Sequence, residues 1–393
     1  MFARHHPFRR LAAAGAAAIL AVSLAACGSG ASGSDGDSST PNPGSSGSAV
    51  DQTTAASTGG GSGPATAASS GSPSPSQDGA ADKAPLTIYT GQHEALVQAL
   101  TDAFTADTGI TVNLRAGDDA ELANQLIEEG DATPADLFLS EEPSPMGLLD
   151  GKGLLAAVDT STLDEVDPAL VPSSGNWMPY AARSRVIYYN PNLITVDELP
   201  HSIMDLTDPQ WKGKFGYAPS GAFAATVSYL INTIGEDKTL SWLEGIKANG
   251  VNEQTNGKIR DAVEAGQIPF GLSNHYYWWI LANSKGGPDK LTSKIYYFDH
   301  PDAGSLVMAS GAGILKASKH QSEAQQFLAW LGSADGGQQV IAGNQAAQYP
   351  VAPGVTSKAG LQPLSELHAP DVDQSVFADT AAAKDLIIKA GIA

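Results

Sequence analysis

The sequence predicts an α/β protein of two doubly wound lobes joined by strands that pass between them. Three observations carry this. From residue 86, strand and helix patterns alternate with short connections, which implies parallel pairing and helices on both faces of a sheet. The same mixture resumes at residue 183 after an irregular stretch. Setting aside the N-terminal segments leaves about 310 residues, room for two lobes of ordinary domain size.

Residues 1–26 read as a signal peptide. Arg4, Arg9 and Arg10 precede an apolar, alanine-rich stretch from Leu11 to Ala26. It is too short for a membrane span and runs into a polar linker. It ends in Leu24-Ala25-Ala26-Cys27-Gly28, a bulky apolar residue and two small ones before Cys, which is the bacterial lipobox. Lipidation of Cys27, and a lipid-anchored extracytoplasmic protein on the cell membrane, are expected. Residues 27–83 are expected to be the lipidated Cys and a linker almost entirely of Gly, Ser, Ala, Thr, Pro and Asp. Such a composition buries too little apolar surface to offset chain entropy, so it predicts a disordered tether.

Cys27 is the single cysteine. The folded part therefore has no disulfide, thiolate metal site or Cys nucleophile. The net charge of −20, without Lys/Arg clusters, argues against nucleic acid as a partner. No second apolar run is long enough to span a membrane.

In chain order, Leu86–Thr90 reads as a short buried strand. His93 to Asp107 follows as a helix, with Leu96, Val97, Leu100 and Phe104 at helical spacing and Gly109 as its stop. Ile110–Leu114 is a second strand. Asp118 caps a helix to Glu129 that Gly130 ends, and Ala135–Leu139 is a third strand. Arg183–Tyr189 is a further strand stopped by Asn190-Pro191. Helices are expected at 222–233, 238–247, 256–265, 322–331 and 336–342, and strands at 295–298 and 306–309. The crossings between lobes fall near residues 183 and 300. One lobe is then 84–183 with 300–356, the other 184–299 with 357–393.

Ligands of doubly wound sheets bind beyond the carboxyl ends of the strands. His93 lies just past the first strand and Glu141 just past the third, so both sit on that edge. Tyr276 and Tyr277 open a helix after Asn274, a residue type suited to the N-cap. In a first turn they stand roughly 100° apart, so both phenols reach one point above the helix end. Phenolate oxygen is a hard donor that suits a hard trivalent cation. The pair alone reads better as core packing beside Trp278 and Trp279, since Tyr188-Tyr189 and Tyr296-Tyr297 lie in expected core strands. Ser220-Gly221-Ala222 opens another helix, whose free N–H groups and dipole favour an anion; an ordinary Ser cap is the plainer reading.

The region from about residue 85 to 393 resembles the bacterial ferric-ion-binding proteins, soluble receptors of iron-uptake ABC transporters with a type II periplasmic-binding-protein fold. The resemblance rests on Tyr89-Thr90-Gly91-Gln92-His93, Ala135 to Glu141, Arg183-Ser184-Arg185, Trp211-Lys212, Ser220 to Phe223, Asn274 to Trp278 and Tyr349-Pro350, in order and with similar spacing. It implies that His93 and Glu141 from one lobe, with Tyr276 and Tyr277 from the other, ligate one Fe³⁺. It also implies a synergistic anion, bicarbonate or phosphate, held by Ser220, Gly221 and Ala222 with help from Asn256 and Asn274. One carboxylate and two phenolates balance the charge of Fe³⁺.

Glu142 departs from the pattern. Phosphate-binding members of the family carry Gln there, and a carboxylate should repel phosphate or itself become a ligand. Arg183 is either a counter-charge for the anion or a structural arginine.

The function expected is capture of Fe³⁺ by a monomeric, lipid-anchored receptor that delivers it to an ABC permease. The competing readings are a receptor for a small organic cation, caged by Tyr276, Tyr277, Trp278 and Trp279, and an oxyanion receptor using Ser220-Gly221. An enzyme is disfavoured: the folded region lacks Gly-x-Ser-x-Gly, His-Glu-x-x-His and a phosphate-loop lysine motif.

Overall fold

The computed structural model describes residues 84–377 and 380–392. The predicted signal peptide, Cys27 and the linker lie outside the described residues.

The chain opens as β1 (Leu86–Thr90), α1 (Glu94–Thr108), β2 (Val112–Ala116), α2 (Asp119–Glu129), β3 (Leu137–Ser140), α3 (Pro143–Gly151) and α4 (Thr160–Leu163). The stops are those the sequence predicts. Gly109 ends α1 in the left-handed region at φ 73°, where a Cβ would be costly. The Asp118 carboxylate accepts from the N–H groups of Ala120 and Glu121 and so caps α2. The second strand begins at Val112 rather than Ile110, whose side chain is buried.

The middle comprises β4 (Met178–Tyr189), β5 (Phe215–Tyr217), α5 (Gly221–Ile234), α6 (Glu236–Asn249), β6 (Val251–Asn252), α7 (Asn256–Glu264), β7 (Phe270–Asn274), α8 (His275–Lys285) and β8 (Lys294–Tyr296). β9 (Val307–Ile314), α9 (Gln321–Gly332), α10 (Gly337–Gly343), β10 (Tyr349–Pro350) and α11 (Ala381–Lys389) complete it.

The strands order as β2-β1-β3-β9-β4-β7-β5-β6, with β8 and β10 also on β4. β1 pairs in parallel with β2 and β3, as expected, and β5 does so with β6 and β7. Between these parallel groups the pairing is antiparallel, through β3–β9, β9–β4 and β4–β7. The sheet as a whole is therefore mixed, because the antiparallel strands β9 and β4 lie between its two parallel groups. β4 changes partner within its length: Ser184 pairs with Val307 of β9, and Arg185 with Asn274 of β7.

One apolar cluster underlies β1, β3, β9 and α9 and extends to Trp278 and Trp279. A second gathers Phe215, Phe223, Trp242 and Phe270 with Leu386 and Ile387 of α11. Burying such aromatic side chains contributes about 1.5–3 kcal/mol each before entropy is counted.

Candidate metal centre

His93 is the N-cap residue of α1, and its carbonyl accepts from Leu96 and Val97 N–H at 3.0 and 3.1 Å. Its own N–H donates to Gln92 Oε1 at 2.9 Å, and Gln92 Nε2 donates to Tyr180 and Ser310. The backbone at His93 is thus tied to β4 and β9. Glu141 follows β3. Its N–H donates to Asp119, and its carbonyl accepts from Ser310 Oγ at 3.0 Å and from the Arg183 guanidinium.

Tyr276 and Tyr277 are the second and third residues of α8. The first, His275, is fully buried at the point where β4 changes partner. Ser184 N–H donates to its Nδ1 at 3.1 Å, so Nε2 carries the proton and donates to Ala347 O at 2.7 Å. Burial lowers His275 to about 3, so it stays neutral. Tyr188 of β4 donates its hydroxyl proton to Asn274 O and accepts Trp278 N–H. The start of α8 is therefore anchored to the crossing strand.

These anchors bring the four side chains together. His93 Nε2 lies 3.6 Å from Glu141 Oε1. The His93 ring meets Tyr276 edge-on with centroids 5.6 Å apart. The two phenol rings stack at 4.3 Å. His93 Nε2 and Glu141 Oε1 are both buried without a hydrogen-bond partner, although buried polar atoms nearly always have one. Burial pushes the Tyr276 phenol well above its usual value, and the charges of Glu141 and Tyr277 add to this. Among the described residues no group of three or more His, Cys, Asp or Glu is arranged for a metal; half the donors here are phenols.

The segment expected to hold an anion is also assembled, with one surprise. Ser220 N-caps α5 through its backbone, and its hydroxyl accepts from Asn256 Nδ2 at 3.2 Å instead of capping. Asn256 Oδ1 is buried without a partner. Ala222 is buried, with its carbonyl accepting from Thr226. A Cβ on Gly221 would lie 3.2 Å from Glu142 Oε1, so the Glu142 carboxylate rests against the opening of α5.

The same carboxylate forms an ion pair with Arg183, whose side chain is fully buried. Burial raises Glu142 above the usual carboxylate value and Arg183 opposes this. Burial likewise weakens the charge on Arg183, but Glu142 and Glu141 outweigh it and hold the guanidinium above its ordinary value. The sequence anticipated a repulsive Glu142; the structure places it as Arg183's partner.

Two expectations are corrected. Asn274 begins α8 but makes no side-chain cap; its Oδ1 accepts from Arg185 Nη1 at 2.9 Å. The aromatic cage does not form, because Trp278 and Trp279 are buried in the core and Trp278 Nε1 donates to Ser293. A cavity of about 830 Å³ beside Leu193, His201 and Trp211 includes none of the four candidate ligands. The residue that sequence reasoning missed is Asp119, which receives the N–H groups of both Glu141 and Glu142. Its place at the start of α2 reads locally as ordinary helix-end acidity.

The family model for bacterial extracellular solute-binding proteins matches residues 87–338. An Fe(3+)-binding periplasmic protein of Serratia marcescens is 44% identical over 299 residues, 76% of this chain and 88% of that protein. The major ferric iron-binding protein of Neisseria meningitidis serogroup B is 36% identical, over 79% of this chain and 93% of its own. Iron-bound HitA from Pseudomonas aeruginosa superposes with a TM-score of 0.72 at 40% identity, covering 79% of this chain and 99% of HitA. A Trichodesmium protein in complex with iron and citrate gives 0.69 at 26% identity, over 78% and 99%. With this fold and these relatives, the chain belongs to the bacterial extracellular solute-binding proteins, in the branch that includes the periplasmic ferric-iron-binding proteins.

Proposed function

We propose that this protein is the Fe³⁺ receptor of an ABC uptake transporter and hands the ion to a membrane permease. The reading is carried by one juxtaposition. An imidazole and a carboxylate with unpartnered buried atoms face two stacked phenols. His93, Glu141, Tyr276 and Tyr277 are the ligands in this reading. The lobes 84–183 with 300–356 and 184–299 with 357–393 close on the ion by a hinge at β4 and β9. Capture and release need no catalytic group, so the protein is not an enzyme. Metal analysis and a visible spectrum of the purified protein test this, since ferric phenolate is coloured and an organic solute or oxyanion complex is not.

The opening of α5 is where a synergistic bicarbonate or phosphate would sit. Ser220, Gly221, Ala222 and Asn256 supply that place, with the Asn274 amide nitrogen nearby. In our reading the Glu142 carboxylate takes the anion's part there, and bicarbonate or phosphate competes with it. Gly221 and Arg183 contacts to that carboxylate support this.

Proton linkage gives a direct expectation. Phenols ordinarily hold their protons at neutral pH, and burial strengthens the hold of Tyr276 on its own. Binding Fe³⁺ must expel these protons, so lower pH favours the metal-free form. Affinity is expected to fall by more than about tenfold per unit as pH drops from 7 to 5. Titration at fixed pH values checks this, and a flat profile counts against phenolate ligands.

The lipobox supports anchoring through Cys27, and among the described residues no helix is long and apolar enough to cross a membrane. Cys27→Ser is expected to release the protein from the membrane with iron binding intact. Fractionation reads the outcome; membrane retention of the unlipidated variant contradicts the anchor.

A further inference from the structure

The end of β3 delivers two adjacent acids to different tasks. Glu141 turns toward His93, while Glu142 turns toward Arg183 and the opening of α5. Adjacent carboxylates repel, and both sit in a partly dehydrated cleft, so an external constraint must hold the turn. Arg183 holds Glu141 only by its carbonyl and Glu142 only by its side chain.

The constraint on the two amides is Asp119, the first residue of α2. One oxygen, Oδ2, accepts Glu141 N–H at 2.9 Å and Glu142 N–H at 3.0 Å. Its other oxygen is buried without a hydrogen-bond partner. A third carboxylate next to two others is electrostatically unfavourable, and burial with those neighbours raises Asp119 to about 7. Hydrogen bonds from the backbone N–H groups oppose this rise only in part.

A second feature makes room for it. A Cβ on Gly91 would lie 1.8 Å from Asp119 Oδ1 and 2.8 Å from Asp119 Cα. Gly91 therefore has no room for a side chain for a reason unrelated to turn formation. It lets Asp119 slide under the loop, and its own N–H donates to Leu139 O at 3.0 Å, fixing it against β3.

We propose that Asp119, admitted by Gly91, is the positioning residue that sets the Glu141–Glu142 turn, so that one acid faces the metal centre and the other faces Arg183 and α5. The inference rests on the metal reading above only for its effect on iron; its effect on the turn stands apart. Asp119→Ala removes the oxygen that accepts both N–H groups. Asp119→Asn keeps an oxygen in the same place without charge. Gly91→Ala displaces Asp119 from the other side.

Two measurements on the full chain separate the possibilities. The first is amide hydrogen exchange at Glu141 and Glu142 in the metal-free protein. The second is Fe³⁺ affinity with the visible spectrum. In Asp119→Ala the two amides should exchange at least about tenfold faster, with distant amides unchanged. Iron affinity should fall about 10- to 100-fold, the usual cost of losing a partner of a ligand, with a shifted ferric band. Gly91→Ala should do the same, and Asp119→Asn should restore most of both readouts. Unchanged exchange at these amides in Asp119→Ala, or iron affinity within about twofold of wild type with an unshifted band, overturns the proposal. If the amides respond but the wild type takes up no Fe³⁺, the metal reading falls and the positioning role stands.

Discussion

Tyr276→Phe and Tyr277→Phe are each expected to weaken Fe³⁺ binding by more than about 100-fold, since even partners of ligands contribute 10- to 100-fold. Each substitution deletes a hard anionic donor and leaves Fe³⁺ with one uncompensated charge. The visible band should shift in each single variant and vanish in the double variant. Stability of the metal-free protein should change by less than about 1.5 kcal/mol, because Phe keeps the ring volume. The stacked contact at 4.3 Å also survives the substitution. Thermal melts without iron, beside iron titrations, separate a ligand role from a packing role. A double variant that keeps the wild-type spectrum would show that the phenols only pack.

What was legible in the sequence is what local chemistry determines. The opening β1-α1-β2-α2-β3 run was readable because its periodicity and its stops, Gly109, Asp118 and Gly130, are properties of single residues and short windows. His93 and Glu141 were placed on one edge because strand ends in such sheets face one way. The phenol pair needed its partners: alone it matched Tyr188-Tyr189, which the structure shows as strand residues.

The first half of β4 was not legible. Met178 to Ala182 contains Pro179, unusual in a central strand, and the predicted strand began only at Arg183, itself unusual as a buried arginine. The structure places Pro179 beside a register shift between β4 and β9. It accommodates Arg183 through Glu142, 41 positions earlier, and no local pattern announces such a pair. Asp119 escaped for the same reason, since its two acceptor bonds reach 22 and 23 positions along the chain.

In our reading the Glu142–Arg183 ion pair governs how an exogenous anion acts, and Glu142→Gln is expected to invert that action. In the wild type the opening of α5 and Arg183 already face a carboxylate. Phosphate entering there meets a like charge and must displace it, so iron binding should proceed without added phosphate or bicarbonate. In Glu142→Gln the buried Arg183 loses its counter-charge, while the amide adds a donor where Glu had none. Removing one partner of a buried pair costs about 3–5 kcal/mol, and the partial exposure of Glu142 places this case below that range. Phosphate should bind the freed guanidinium and restore much of the lost stability, raising the Tm of metal-free Glu142→Gln but not of the wild type. Iron affinity of the variant should rise by at least about tenfold on adding phosphate, which corresponds to 1.4 kcal/mol. The Tm shift is read without iron, so it judges the anion pocket even where iron binding is lost. If the wild type already requires phosphate, and Glu142→Gln matches it in both iron affinity and Tm, then the Glu142 carboxylate has no part in the anion pocket.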